Sequence, residues 1–227
     1  MSEYPAHREA DVVLRDGSTV RIRPVRPEDR GAILAFLRGL SDEARWLRFF
    51  SGFPDLERAA DSAVEVDYHD RFGLLALAGD TVVGHATYLA EGDRAEVGFA
   101  VADAYQGRGL GTIMLGQLAQ AAAENGIHMF EAEVMPENRR MLDVFRESGF
   151  PIATQTEPGL IRAEFPTSLT REALERFDRR EQVAAVNAIR SFLSPSAVAV
   201  IGASRTRGSI GGEVFHNLLV TGFQGPV

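Results

Sequence analysis

Hydrophobic and polar positions follow two periods along this chain, and the changes between them mark out its elements. Val12, Val13 and Leu14, an Asp16-Gly17 turn and residues 19–23 alternate β-branched and charged side chains, which predicts a hairpin. Pro27-Glu28-Asp29 starts a helix running to about Arg38, with the proline in its first turn and the acids at the positive end of its dipole. Ser41 reads as the N-cap of a second helix, and residues 56–66 as a third. Residues 72–78, a Gly79-Asp80 turn and residues 81–89 predict an antiparallel pair, which residues 94–101 extend. Leu110, Met114 and Leu118, continued by Ala121 and Ala122, recur at helical spacing and predict a helix over 110–124. A strand over 127–134, a helix over 137–147 stopped by Gly149, and strands over 150–156 and 160–165 complete the pattern. The fold class is α+β: a mixed, mainly antiparallel sheet flanked by helices.

After Pro166 the texture changes. Residues 170–189 are charged and read as a helical connector, and an apolar strand over 196–201 runs into Gly202, Ala203, Ser204 and further glycines at 208, 211 and 212. This reads as a strand, a loop and the beginning of a helix, the first βα unit of a second fold. One such unit cannot bury both faces of a parallel strand, so the expectation is a truncated domain. The division is 1–166 for the first domain, 167–193 for the linker and 194–227 for the truncated start of the second. The spacing from Gly202 to Gly208 is not Gly-x-Gly-x-x-Gly, which disfavours a dinucleotide-dependent dehydrogenase.

Composition narrows the chemistry. The 227 residues carry a formal charge of −8 without a dense basic block, which argues against general nucleic-acid binding and suits a cationic acceptor such as an amine. No cysteine is present, so disulfides, thiolate metal sites and a cysteine nucleophile are excluded. The five histidines are scattered without a ligand pair, and no metal site is expected. No apolar run approaches a membrane span, and the first residues are unlike a signal peptide; a cytoplasmic protein is expected.

The chemistry concentrates in one segment. A strand ending in Glu96-Val97-Gly98-Phe99-Ala100-Val101 leads to Gln106-Gly107-Arg108-Gly109-Leu110-Gly111, whose glycines open the helix at 110. Small residues let the backbone approach a pyrophosphate, and the free amides of a helix start donate to its oxygens. No Gly-Lys-Ser/Thr follows, so this is not a Walker loop. Strand alternation puts Glu96, Gly98 and Ala100 on one face, leaving the carboxylate beside small residues as a candidate general base.

The segment resembles motif A of the Gcn5-related N-acetyltransferases (GNAT), Gln/Arg-x-x-Gly-x-Gly/Ala, matched by Gln106, Gly109 and Gly111. The stretch from Asn138 to Phe150, with Gly149-Phe150 at its end, resembles motif B. The resemblance covers roughly residues 10–166. It implies acetyl-CoA as cosubstrate. The loop Gln106, Gly107, Arg108, Gly109, Leu110 and Gly111 would hold the pyrophosphate, the backbone of Phe99, Ala100 and Val101 the pantetheine arm, and Asn138 would begin the motif B helix. Many members use a motif B tyrosine as general acid toward the departing thiolate; Phe145 stands there, and water, Tyr105 or Tyr68 are the alternatives.

Residues 36–41 with Arg48-Phe49-Phe50, and Ala95-Glu96-Val97, are similar to the bacterial protein lysine acetyltransferases called Pat. In that family the matching glutamate, here Glu96, is the general base. Residues 198–204 with 208–211 are similar to the Rossmann-like CoA-binding fold of NDP-forming acyl-CoA synthetases. The resemblance implies direct transfer of acetyl to a lysine ε-amine in a ternary complex, with an AMP-forming acetyl-CoA synthetase as the protein partner. Alternatives are a small amine as acceptor, or a non-catalytic acetyl-CoA sensor.

A lysine amine is neutral in only about one molecule in 2,500 at pH 7, so a base beside the thioester is useful. Several other residues stay open on sequence alone. Asp67-Tyr68-His69-Asp70 is either a substrate-facing loop or a solvated connector, and His85 either approaches the acceptor site or, the favoured reading, is a satisfied structural histidine. Glu131 and Glu133 either guide an amine or pair across the sheet. Trp46, Phe49, Phe50 and Phe53 read as core and lid packing. Arg45 and Arg48 either pair with acidic loops or reach the adenosine 3′-phosphate.

Overall fold

A computed structural model describes residues 3–168, 170–193, 197–206, 208–223 and 225–227. Its sheet is built from β1 (Ala10–Val13), β2 (Thr19–Pro24), β3 (Arg71–Ala78), β4 (Thr81–Glu91), β5 (Arg94–Val101), β6 (Met129–Val134), β7 (Ala153–Glu157) and β8 (Leu160–Pro166). The strands lie in the order β1-β2-β3-β4-β5-β6-β8-β7, and every neighbouring pair is antiparallel except β5 with β6. A parallel neighbour needs a crossover. It is supplied by α4 (Leu110–Glu124), the helix that the glycine loop opens.

Helices cover the sheet from two sides. On one face α1 (Arg30–Gly39) and α3 (Leu56–Val64) bury Ile33, Leu37 and Ala60 against Leu75, Val82 and Ala100. Between them α2 (Asp42–Phe49) is capped by Ser41, whose hydroxyl accepts the Ala44 N–H at 3.2 Å, and ends where Phe50 turns left-handed. On the opposite face α4 and α5 (Arg139–Ser148) pack over the larger core, where Leu115 and Leu118 meet Val97, Phe130 and Phe165. The helical expectation over 56–66 runs two residues long: Asp67 accepts the N–H groups of His69 and Arg71 and folds the chain away before β3.

Alternation along β5 follows the two cores. Ala95 and Val97 are buried toward α4, whereas Ala100 is buried toward α1, leaving Gly98 and Glu96 on the α1–α3 side. The helices stop short of Glu96, which stays exposed. Beyond β8, α6 (Arg171–Leu193) packs along α5 and β1, burying Ala184, and Asn187 donates to the Arg15 carbonyl at 2.7 Å.

The expected strand over 196–201 does not form among its described residues, 197–201; Ser196 lies outside them. A parallel strand needs a paired neighbour to satisfy its backbone. Among the described residues the segment makes one backbone bond, Val198 N–H to Pro226 O at 3.0 Å, and Ile201 is 99% exposed. The helix that follows, α7 (Ile210–Val220), does form, capped by Ser209. Of the expected strand and helix, only the helix forms among the described residues.

His85 on β4 is structural but not satisfied: it is 5% exposed, and its Nε2 has no hydrogen-bond partner. Burial, with the Arg48 guanidinium nearby, pushes its pKa down to about 3. The unfolded chain takes up this proton below about pH 6.5 and the folded chain does not. Stability therefore falls as pH drops from 6.5 toward 3. Relative to His85→Gln, the wild type is expected to lose about 2 kcal/mol more between pH 6.5 and 4.5 in urea unfolding; parallel losses would contradict a buried neutral imidazole.

Candidate active site

The strands β5 and β6 touch over three registered pairs only, Arg94 with Met129, Ala95 with Phe130 and Glu96 with Glu131, and then separate. Against β4, by contrast, β5 stays paired all the way to Val101. Past Glu96 the β6 side of β5 thus has unused backbone groups, and the chain fills the opening with a cleft of about 280 Å³. Its walls include Phe99, Ala100 and Val101 of β5, the loop residues Gln106, Gly107 and Gly109, Leu110 and Gly111 of α4, and Asn138.

Each part is positioned by a local cause. Gly107 and Gly109 have φ of +74° and +89°, conformations that L side chains rarely adopt, and these turn the loop into the start of α4. The first-turn amides of that helix have no intrahelical acceptor and open an anion-binding end toward the cleft. Gln106 ties the loop to the strand: its amide donates to Val101 O at 2.9 Å, and its carbonyl accepts from Arg140. Asn138 caps α5 by accepting the Met141 N–H at 3.1 Å.

Of the expected cofactor residues, the side chain of Arg108 alone is turned away. It pairs with Asp16 at 2.8 Å and lies over the Tyr105 ring, while its carbonyl accepts the Arg15 N–H at 3.0 Å. The cationic lining comes instead from Arg15, Arg48 and Arg140. Arg15, in the β1–β2 turn, crosses Gly109, where an added Cβ would stand 3.3 Å from its Nε, and pairs with Glu147 at 2.5 Å. Nothing in the sequence signals Arg15, because it reaches the loop from more than ninety residues upstream. Arg140 is legible only as the second residue of the motif B helix.

Glu96 lies just outside the cleft on the exposed sheet face, with Leu89 beside it on β4 and Glu131 on β6. Glu131 and Glu164 both pair with Arg94, and Glu133 with Arg162 at 3.3 Å, so those acids are matched across the sheet. The two arginines of α2 part company. Arg45 donates to the Arg38 and Leu40 carbonyls at 3.1 and 2.9 Å and pairs with Asp42. Arg48 reaches inward over Gly98, where an added Cβ would stand 2.4 Å from its Nη2. Burial pushes its pKa down, and the Glu96 carboxylate pulls the other way.

Phe145 is 2% exposed with its ring 5.3 Å from that of Phe165, so it is a core residue. Tyr68 donates its hydroxyl to Val25 O at 3.1 Å and does not line the cleft, whereas Tyr105 does. The 67–70 loop spends Asp67 on its own turn and pairs His69 with Asp70. The expectation of aromatic packing in α2 holds for Phe49, which joins the α1–α3 core, but Trp46 and Phe50 are exposed and Phe53 is 99% exposed. They sit in α2 near its end, at its C-cap and in the loop that follows. Among the described residues no group of His, Asp or Glu is placed to hold a metal, and no helix is long and apolar enough to cross a membrane.

Known proteins are similar to this chain. Acetyltransferase Pat of Mycolicibacterium smegmatis is 33% identical over 143 residues, 61% of this chain, and the match spans 43% of that protein's length. Acetyltransferase PA5475 of Pseudomonas aeruginosa is 32% identical over 144 residues, 60% of this chain and 77% of that protein. The crystal structure of the GNAT domain of S. lividans PAT is 40% identical with a TM-score of 0.68, covering 72% of this chain and 99% of that one. The model of the acetyltransferase (GNAT) family matches residues 40–150, the segment holding both the glycine loop and the Asn138 helix. With a parted β5–β6 pair, a glycine loop opening the crossover helix and these likenesses together, the chain belongs to the GNAT acetyltransferase family.

Proposed function

We propose that this chain transfers acetyl from acetyl-CoA to a lysine ε-amine of a protein, with Glu96 as general base. One observation carries the reading: Glu96 is exposed on an open sheet face at the point where β5 and β6 separate, beside the cleft that the glycine loop closes. The pyrophosphate would rest on the amides from Gly107 to Gly111, with Arg15 and Arg140 adding charge, and the pantetheine arm along Phe99 to Val101. An amine approaching the thioester from the open face meets Glu96, which takes the proton the nitrogen loses. Strand amides between Val97 and Val101 polarise the carbonyl oxygen.

The exposed face, edged by Leu89, favours a macromolecular acceptor over a small enclosed amine. The likeness to Pat supports a protein lysine, with an AMP-forming acetyl-CoA synthetase as the first acceptor to test. Residues 1–166 form the transferase unit in this reading, 167–193 the linker, and 194–227 the start of a CoA-binding domain.

All 24 basic residues of the chain are arginine, so any acetyl-lysine formed in a mixture belongs to the acceptor. Incubation with acetyl-CoA and an AMP-forming acetyl-CoA synthetase is expected to acetylate a synthetase lysine, located by peptide mass spectrometry. Bound acetyl-CoA without transfer would count against this acceptor. Glu96→Gln should lower turnover at pH 7 by about 10²- to 10⁴-fold with acetyl-CoA affinity largely kept; equal rates would remove Glu96 from the base role. Gly109→Ala, at φ +89°, costs about 1–2 kcal/mol in backbone strain and is expected to weaken acetyl-CoA binding about tenfold by titration calorimetry. Unchanged affinity would mean that the loop does not hold the cofactor.

A further inference from the structure

We propose that Arg48 is the cation that receives the negative charge on the coenzyme A sulfur when the thioester breaks, an inference resting on the cleft being the acetyl-CoA site. Acyl transfer to a neutral amine forms a C–N bond and breaks the C–S bond. The bonding pair leaves with sulfur, and the proton lost by nitrogen goes to Glu96. Something must stabilise the thiolate at that moment. A phenol does not do so from the motif B helix, because Phe145 is packed in the core. Tyr68 is bonded to Val25 O, and Tyr105 lies beyond the end of β5 under the Arg108 guanidinium.

Arg48 is in the right place. It lines the cleft, on the face of β5 that carries Glu96, and its guanidinium covers Gly98 where β5 has left β6. Its position is fixed from both ends of α2. Ser41 donates its hydroxyl and its N–H to Asp103 at 2.8 and 3.1 Å, fastening the helix start to the turn after β5, and the Phe49 ring lies 5.3 Å from the guanidinium. Among the described residues Arg48 makes no ion pair. The groups around it are few: Glu96 on β5, neutral His85 on β4, Glu43 on α2, and Asp103, which is committed to Ser41. A half-buried guanidinium without a matched carboxylate stabilises an incoming anion strongly, because little solvent screens it and its donors are free. Gly98 is the complementary feature, since any side chain there would displace the cation.

The test reads the sulfur itself and needs no acceptor. The thiol of coenzyme A bound to the full chain is titrated by its ultraviolet thiolate absorbance, with desulfo-coenzyme A affinity as the measure of an intact site. In the wild type the bound thiol pKa is expected about one unit below that of free coenzyme A. Arg48→Gln should abolish that lowering while desulfo-coenzyme A binds within about twofold of wild type. Gly98→Ala, which keeps Arg48 but pushes its guanidinium off the strand, should abolish it too, and serves if Arg48→Gln does not fold. Tyr105→Phe should leave the lowering intact. Equal thiol pKa values in wild type and Arg48→Gln, or a lowering lost in Tyr105→Phe, would overturn the assignment. If wild type binds neither ligand, the acetyl-CoA reading itself fails and this inference falls with it.

Discussion

The separation of β5 from β6 is the constraint on which the rest of the structure depends. A parallel pair in this sheet requires the α4 crossover, and the two strands pair only as far as Glu96. Backbone groups beyond that point cannot be left dry, so the opening must be polar, solvated or filled by a ligand. The glycine loop sits at its mouth because α4 must start there. Cleft, helix amides and carboxylate are thus consequences of one unfinished strand pair.

Charge is distributed around that opening by the same architecture. Arg15 arrives from the first hairpin, Arg140 from the first turn of α5, and Arg48 from α2, each on a different layer. On the sheet face beside Glu96, Arg94 and Arg162 neutralise Glu131, Glu133 and Glu164. Such partly exposed pairs add little stability. Their effect is to leave Glu96 outside the cross-strand ion pairs of that face. His85, held neutral by burial, keeps a second positive charge away from Arg48.

Several large apolar side chains stay exposed. Trp46, Phe50 and Phe53 stand at the end of α2 and in the loop after it, and Leu89 lies on the strand next to Glu96.

Much of this was legible along the chain because it is governed by local rules. Gly107 and Gly109 announce a left-handed turn, Ser41 and Asn138 announce caps, and period-two and period-3.6 runs announce β5 and α4. Two motifs resembling one family then named a fold and a cosubstrate. The exceptions are instructive. Residues 197–201 have a strand's composition but no strand to pair with among the described residues, and Phe53 has a core residue's chemistry yet stands 99% exposed. Arg108 sits in the motif yet turns to Asp16, while Arg15, with no motif of its own, lies across Gly109. Sequence by itself determined the elements, the loop and the carboxylate, since dihedral preference and side-chain alternation act between near neighbours. Tertiary structure alone decided which arginines face the cleft, because that depends on strand order and on the packing of α2 over β5, contacts between residues that local periodicity does not relate.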